Sequence, residues 1–234
     1  MNRSNQDLKH DSLEMLNGKW VPTLFVCLIV WFFASSADTF TSTSVQEIYR
    51  DGQVIRQTVE NRSSILSLIN FFFAGPVYFG LAAYFLRLKR YGETEINEVL
   101  AGLGNFFKYF LANLVMVVLI LLWTLLLIVP GIIAYYRYSM TWYILNDHPE
   151  LTVMQAIQRS KEMMAGNKMD LFSLQISFIG WAILALFTMG IGFIPLNAYY
   201  NGAKVHFYEE LSGHIGYIDY DDDENDYEED DDYL

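Results

Sequence analysis

Residues 113–129 read NLVMVVLILLWTLLLIV, seventeen positions without a charge. A bilayer core ~30 Å thick is crossed by ~20 apolar residues at 1.5 Å each, and this run has that scale. Only Lys108 interrupts Phe106–Val129, near its start, where it reaches water. Val21–Ser36, Ile65–Leu86 and Leu171–Leu196 have the same character. Four such stretches in 234 residues, 53% of them hydrophobic, imply a polytopic membrane protein with room for one helical domain and little else.

The net charge of −12 is a property of the C-terminus. Residues 215–234 contain eleven Asp or Glu and no base, which leaves 16 acids against 15 bases elsewhere. No basic stripe is present to bind nucleic acid. The single Cys27 excludes an internal disulfide, and paired-cysteine metal patterns are absent. His10, His148, His206 and His214 have no metal-ligand spacing. There is no Gly-x-Ser-x-Gly, His-Glu-x-x-His or phosphate-loop pattern, so no catalytic residue, metal or cofactor is expected.

Working outward along the chain, residues 1–19 form a polar N-terminal arm, ending in a short interfacial helix through Leu8, Leu13, Met15 and Leu16. Ser35-Ser36-Ala37 resembles a cleavage site after an apolar core, but Asp7, Asp11 and Glu14 precede that core and the segment is long enough to span. A retained first helix over 20–37 is therefore expected. Polar residues 38–63 follow, with Asp51-Gly52 as a turn. A second helix covers 64–88, kinked at Gly75-Pro76 and ended by Arg87, Lys89 and Arg90. Residues 93–105 begin amphipathically, with Thr94 as N-cap and Ile96, Val99, Leu100 and Leu103 on one face.

After the helix over 106–129, Pro130-Gly131 is either a kink or a turn; the piece Ile132–Asn146 is only ~22 Å long. Residues 152–165 read as a surface helix with a Thr152-x-x-Gln155 capping box, a Gly166 stop and an apolar stripe of Val153, Ala156, Ile157 and Met164. Further membrane helices are expected over 170–190 and 196–212. If Pro130 is a turn, Arg3, Lys9, Lys19, Arg87, Lys89, Arg90, Arg159, Lys161 and Lys168 share one side, against Arg50, Arg56 and Arg62 on the other. The positive-inside rule then favours six crossings with both termini cytoplasmic. A weak internal echo supports proline-broken hairpins: Ala134-Tyr135-Tyr136, Ala198-Tyr199-Tyr200 and Ala83-Tyr84-Phe85 each follow a proline.

One stretch carries a family likeness. Val129-Pro130-Gly131-Ile132-Ile133-Ala134-Tyr135-Tyr136-Arg137-Tyr138-Ser139-Met140-Thr141, Tyr143-Ile144-Leu145 and Asn146-Asp147-His148-Pro149-Glu150-Leu151 resemble the signature of an uncharacterised bacterial integral-membrane family, "domain of unknown function 975". Ala156-Ile157, Ser160-Lys161, Phe178-Ile179-Gly180-Trp181, Gly190-Ile191-Gly192 and Phe207-Tyr208-Glu209-Glu210-Leu211 extend it over roughly residues 15–213. Trp142, where proline is expected, and the acidic tail depart from the pattern. The resemblance implies a polytopic helical protein of the bacterial cytoplasmic membrane, and no reaction.

Several polar residues stand out on this apolar background. Arg137 lies about six positions into an apolar segment, where a charge costs ~2.5–3.5 kcal/mol, and shares a helical face with Ala134 and Thr141. It could hold a carboxylate or lipid phosphate, snorkel, or pair internally with Asn197 and Asn201. Asn197, Asn201 and Lys204 lie at i, i+4 and i+7, a polar face that must meet protein or water. It either lines a cavity or bonds between helices. Arg159, Lys161 and Lys168 are candidates for lipid headgroups, or simply set topology.

The expected architecture is all-α: about six transmembrane helices in proline-broken hairpins over residues 20–213, one cytoplasmic amphipathic helix, and a disordered acidic tail over 214–234. The expected function is a non-enzymatic binding, accessory or scaffold protein of the bacterial cytoplasmic membrane, with the lipid bilayer as partner, another membrane protein as a candidate partner and no nucleic acid. The alternative is a transporter or permease for a small or amphiphilic molecule, using the broken helix near Pro130 and the Arg137 face. Eleven like charges cannot bury enough surface to offset ordering entropy. Deleting residues 215–234 should therefore leave membrane insertion and the melting temperature in detergent nearly unchanged; a large loss of folded protein would show that the tail docks on the body.

Overall fold

Inside hydrocarbon a backbone N–H has no water to bond, so apolar segments must close their hydrogen bonds internally, as helices. The computed structural model describes residues 4–35, 44–50, 53–59, 63–93, 95–188 and 190–225, and is helical apart from one β-hairpin. In chain order come α1 (Asn5–Leu16), α2 (Trp20–Ser35), β1 (Ser44–Arg50), β2 (Gln53–Val59), α3 (Ser63–Tyr91) and a 3-10 helix (Ile96–Leu103). Then follow α4 (Phe106–Leu126), α5 (Ile128–Arg137), α6 (Thr141–Asp147), α7 (Val153–Met163), α8 (Lys168–Ile176), α9 (Ile179–Phe187) and α10 (Phe193–Asn225).

The six-crossing bundle expected from charge is not what forms. Among the described residues three helices are long and apolar enough to cross a membrane: Asn70–Tyr91 of α3, α4, and Lys168–Phe187 of α8 and α9. A fourth arises only if α1 and α2, bent by 107°, count as one span. The other segments fail for physical reasons. With 16 residues, α2 reaches ~24 Å, and α5, with ten, only ~15 Å. Asn197, Asn201, Lys204, His206, Glu209 and Glu210 make α10 too polar.

The break after α4 is a turn, and it starts before the proline. Leu127 is extended at φ −163° and ψ 145°. Pro130 then sits in the first turn of α5, where an N–H would lack a helical partner anyway. The chain doubles back so tightly that a Cβ on Gly131 would lie 2.8 Å from Thr124 Cα. After a break at Tyr138–Met140, α6 carries the chain back beside the start of α4, where Lys108 Nζ donates to the Pro149 carbonyl at 2.7 Å.

Surface helix α7 follows its sequence signals closely. The Thr152/Gln155 capping box is present in both directions, Gly166 takes φ +84°, and Val153, Ala156, Ile157 and Met164 are buried. The segment after α3 does not. It winds as a 3-10 helix of three residues per turn, so Val99 and Gly102 face α3 while Leu100 and Leu103 are exposed. Thr94, expected as its cap, lies outside the described residues. Residues expected as a polar loop contain the antiparallel hairpin, in register Ser44↔Val59 through Arg50↔Gln53 on either side of Asp51-Gly52. Arm helix α1 docks on α10: Leu8 and Leu16 are fully buried and Ser12 Oγ donates to the Tyr199 carbonyl at 3.0 Å. The expected acidic tail begins within α10, and beyond Asn225 it lies outside the described residues.

Central position belongs to α3. In its apolar window 67% of residues are buried, against 22% for α4 and for α8–α9. Small residues permit the close approach. A Cβ on Gly80 would stand 2.8 Å from Val99 Cα, and one on Gly102 2.8 Å from Pro76 Cα. Both contacts are with backbone, which cannot swing aside. Gly80→Ala and Gly102→Ala should each destabilise by ~1–3 kcal/mol, read as lower melting temperatures in detergent. Gly180→Ala, with nothing within 4 Å of the new methyl, should be neutral or slightly stabilising.

Candidate functional site

Six helices meet around a cavity of about 400 Å³. Its apolar wall comes from Val30 and Trp31 of α2, Leu81 and Ala82 of α3, and Met116, Val117 and Ile120 of α4. Its polar wall comes from Asn113 of α4, Ser139 from the α5–α6 break, and Asn197, Asn201 and Lys204 of α10. Tyr78, Tyr135, Tyr138, Tyr143 and Tyr200 complete it, with Trp142. Trp142 is the position where the resemblance calls for proline. The two Ala-Tyr-Tyr sequences of α5 and α10 both reach the cavity, through Tyr135 and Tyr200.

The polar face read at i, i+4 and i+7 on α10 thus does line a cavity. Asn201 Nδ2 donates to the Asn197 carbonyl at 2.9 Å and also meets Asn197 Oδ1, so the two amides brace each other. Lys204 Nζ sits 5.8 Å from the centre of the Tyr143 ring, within cation–π range. Asn113 is 9% exposed and bonds to no described residue. It was missed in the sequence, although an amide opening a charge-free apolar run is itself a signal.

Beyond the cavity, toward the C-terminal end of α3, lies an ion-pair layer. Arg90 is eight residues past Ala82, ~12 Å along the helix. Its guanidinium forks onto both carboxylate oxygens of Asp147 at 2.7 and 2.8 Å, while Nε reaches Glu209 Oε1 at 2.7 Å. Tyr208 OH donates to Asp147 Oδ2 at 2.8 Å, and its ring stacks on Tyr143 at 5.0 Å. One arginine therefore ties α3 to α6 and α10, and a stacked tyrosine pair connects that tie to the cavity wall. None of these roles was assigned from sequence, where Arg90 read as a flanking charge.

Other expected residues fall elsewhere. Arg137 ends α5 and is half-buried; it does not line the cavity, and no hydrogen bond joins its guanidinium to Asn197 or Asn201. Among the described residues only its carbonyl is engaged, by Ser160 Oγ at 2.8 Å. Thr141 is fully buried and donates to the Tyr138 carbonyl at 2.8 Å. Lys161 Nζ lies 6.0 Å from the Tyr138 ring centre and 3.4 Å from Gln158 Oε1. Arg159, on the same helix, and Lys168, which opens α8, are half-buried. Outside the cavity, His10, Asp11 and Glu14 on α1 bring three potential metal ligand atoms within 4.8 Å of one another, with His10 and Glu14 exposed.

The chain matches the family described as "Protein of unknown function (DUF975)" over residues 1–134 and 124–214, and it belongs to that family. No curated protein and no solved structure matches it. Family and apolar helices together make it a membrane-associated protein.

The ion-pair layer has a measurable weight. The Arg90, Asp147 and Glu209 side chains are 36%, 16% and 27% exposed, so solvent screens them only in part. Asp147→Asn, which removes the forked pair, should lower stability by ~1–3 kcal/mol in thermal unfolding. Arg87→Ala, which removes a single-pronged contact with Glu98 at 3.0 Å and a loose one with Glu95 at 3.8 Å from a 45% exposed arginine, should cost less, about 1 kcal/mol.

Proposed function

We propose that this DUF975 member is a non-enzymatic protein of the bacterial cytoplasmic membrane that binds a small amphiphilic molecule in its central cavity, as a permease or carrier does. The observation that carries this reading is the cavity itself. A bundle serving only as a scaffold gains by packing its interior to close density. Here six helices instead surround about 400 Å³ with an apolar and a polar lining. That volume falls in the ~300–1,000 Å³ range of small-molecule sites, and the two walls suit a molecule with an apolar part and a polar part.

Orientation follows from clustered bases. Lys19 Nζ lies 3.1 Å from where a Gly92 Cβ would stand, so Lys19, Lys89, Arg90 and Lys108 gather at one end of the molecule, with Pro149. We place that end in the cytoplasm.

Purified protein in detergent should carry a bound amphiphile detectable by native mass spectrometry. Ala82→Phe, which fills the cavity from α3, should reduce that species at least tenfold while the protein stays folded. Absence of any bound species from the unaltered protein, together with no quenching of Trp31 and Trp142 fluorescence by added amphiphiles, would overturn the reading. Equal occupancy in Ala82→Phe would do so too.

A further inference from the structure

We infer that the ligand of the central cavity is an anionic amphiphile, with a carboxylate or phosphate head held by Lys204 and a hydrocarbon chain against α2 and α4. This rests on the cavity being a binding site, and goes on to the charge of what it binds. Among the described residues Lys204 is the only charged one lining the cavity, and no Asp or Glu lines it. Its ammonium makes no hydrogen bond or ion pair with a described residue; its contact is the Tyr143 ring. No ion pair joins it to Glu209 or Glu210, five and six residues on, or to Asp147. Asp147 and Glu209 are both engaged by Arg90.

The neutral groups around Lys204 point the same way. Asn113, nine-tenths buried, presents an amide with no partner among the described residues. Tyr78, Tyr135, Tyr138, Tyr143 and Tyr200 line the cavity, and none of their hydroxyls bonds to a described residue. By contrast the hydroxyls of Tyr84, Tyr136 and Tyr208 are all engaged. A site with one ammonium, an amide and several phenols is rich in donors. The group it satisfies carries negative charge and several acceptor oxygens.

A rival is a quaternary ammonium head, which aromatic walls often hold by cation–π attraction at ~0.5–2 kcal/mol. Lys204 decides against it. Two like charges 5 Å apart repel by ~3 kcal/mol at an effective dielectric constant of 20, more than an aromatic face returns. The apolar lining fixes the rest of the ligand. Val30, Leu81, Met116, Val117 and Ile120 offer only apolar side chains. Trp31 and Val117 are 50% and 42% exposed at the margin, so a chain can run from the cavity to the lipid-facing surface.

The test uses the full chain in nanodiscs of zwitterionic lipid, with quenching of Trp31 and Trp142 as the readout. Four probes share a twelve-carbon chain brominated at its end: a carboxylate, a phosphate monoester, an alcohol and a trimethylammonium. Inorganic phosphate, as a competitor, separates a soluble anion from an amphiphile. The carboxylate and phosphate ester should bind at least tenfold tighter than the alcohol and the cation, and inorganic phosphate should not displace them at comparable concentration. Lys204→Met should erase that preference and Lys204→Arg should keep it; if Lys204→Met does not fold, the selectivity of the unaltered protein decides alone. Equal binding of all four probes, or preference for the cation, overturns the anionic head and leaves the cavity reading standing. Displacement by inorganic phosphate overturns the amphiphile. If no probe binds, the cavity reading itself falls.

Discussion

Nine consecutive residues, Leu121–Val129, are exposed, and eight of them are large and apolar. Leu125 is 81% exposed and Ile128 71%. Each such side chain gains ~1.5–3 kcal/mol on leaving water, so this segment alone accounts for roughly 10–20 kcal/mol, as much as the whole net stability of an ordinary domain. No folded state keeps that surface in water. Removal of the α4–α5 turn from water is the constraint on which everything else depends. Phe187 of α9 and Val21 of α2, both at least 80% exposed, belong to the same lipid-facing skin.

Lipid outside reverses the usual division of labour. Apolar residues face outward without penalty, and what needs enclosure is the polar helix α10. It carries Asn197, Asn201, Lys204, His206 and Glu209 within four turns, and none can face hydrocarbon cheaply. The short helices make sense in that light. Neither α5 nor α6 could cross alone, but with α2 and α3 they surround α10 and give its polar face an interior to look into. Arm helix α1 covers the other flank, through Leu8, Ser12 and Leu16.

Local rules with a single physical cause were legible in the sequence. The α7 capping box, its glycine stop and its apolar stripe all appear where the pattern put them, because each depends on neighbours within one or two turns. The polar face of α10 was legible for the same reason, whereas at Pro130 local pattern left kink and turn open and only the balance of bases favoured the turn. Crossing number was not. Counting apolar segments and balancing bases treats every segment as equally able to span, and α2, α5 and α10 fail on length or polarity. The 3-10 helix was misread because its period is set by close contact of Gly80 and Gly102 with partner backbone, a tertiary demand. Arg137 drew attention because it is charged, yet the structure gathers Asn113 and five tyrosines at the cavity instead. Aromatic residues are too common in membrane helices to be singled out before the fold brings them together.

Glycines and the arginine tie complement each other. Gly75, Gly80 and Gly102 bring α3 against α4 and the 3-10 helix at backbone distance, and Gly131 closes α5 on α4. Those contacts remove all slack on one side of α3. On its other side α3 is held to α6 and α10 at a single level, by Arg90 with Asp147 and Glu209. Between that level and the turn after α4 no ion pair joins α3 to α6 or α10 among the described residues, and the cavity occupies this interval. Its walls are held apart by the same contacts that fix their ends. A packed interior needs only complementary side chains, whereas a persistent cavity needs a rigid frame, and here the frame is built from backbone contacts and one shared guanidinium. That is why the polar face of α10 keeps a cavity beside it instead of collapsing onto its neighbours.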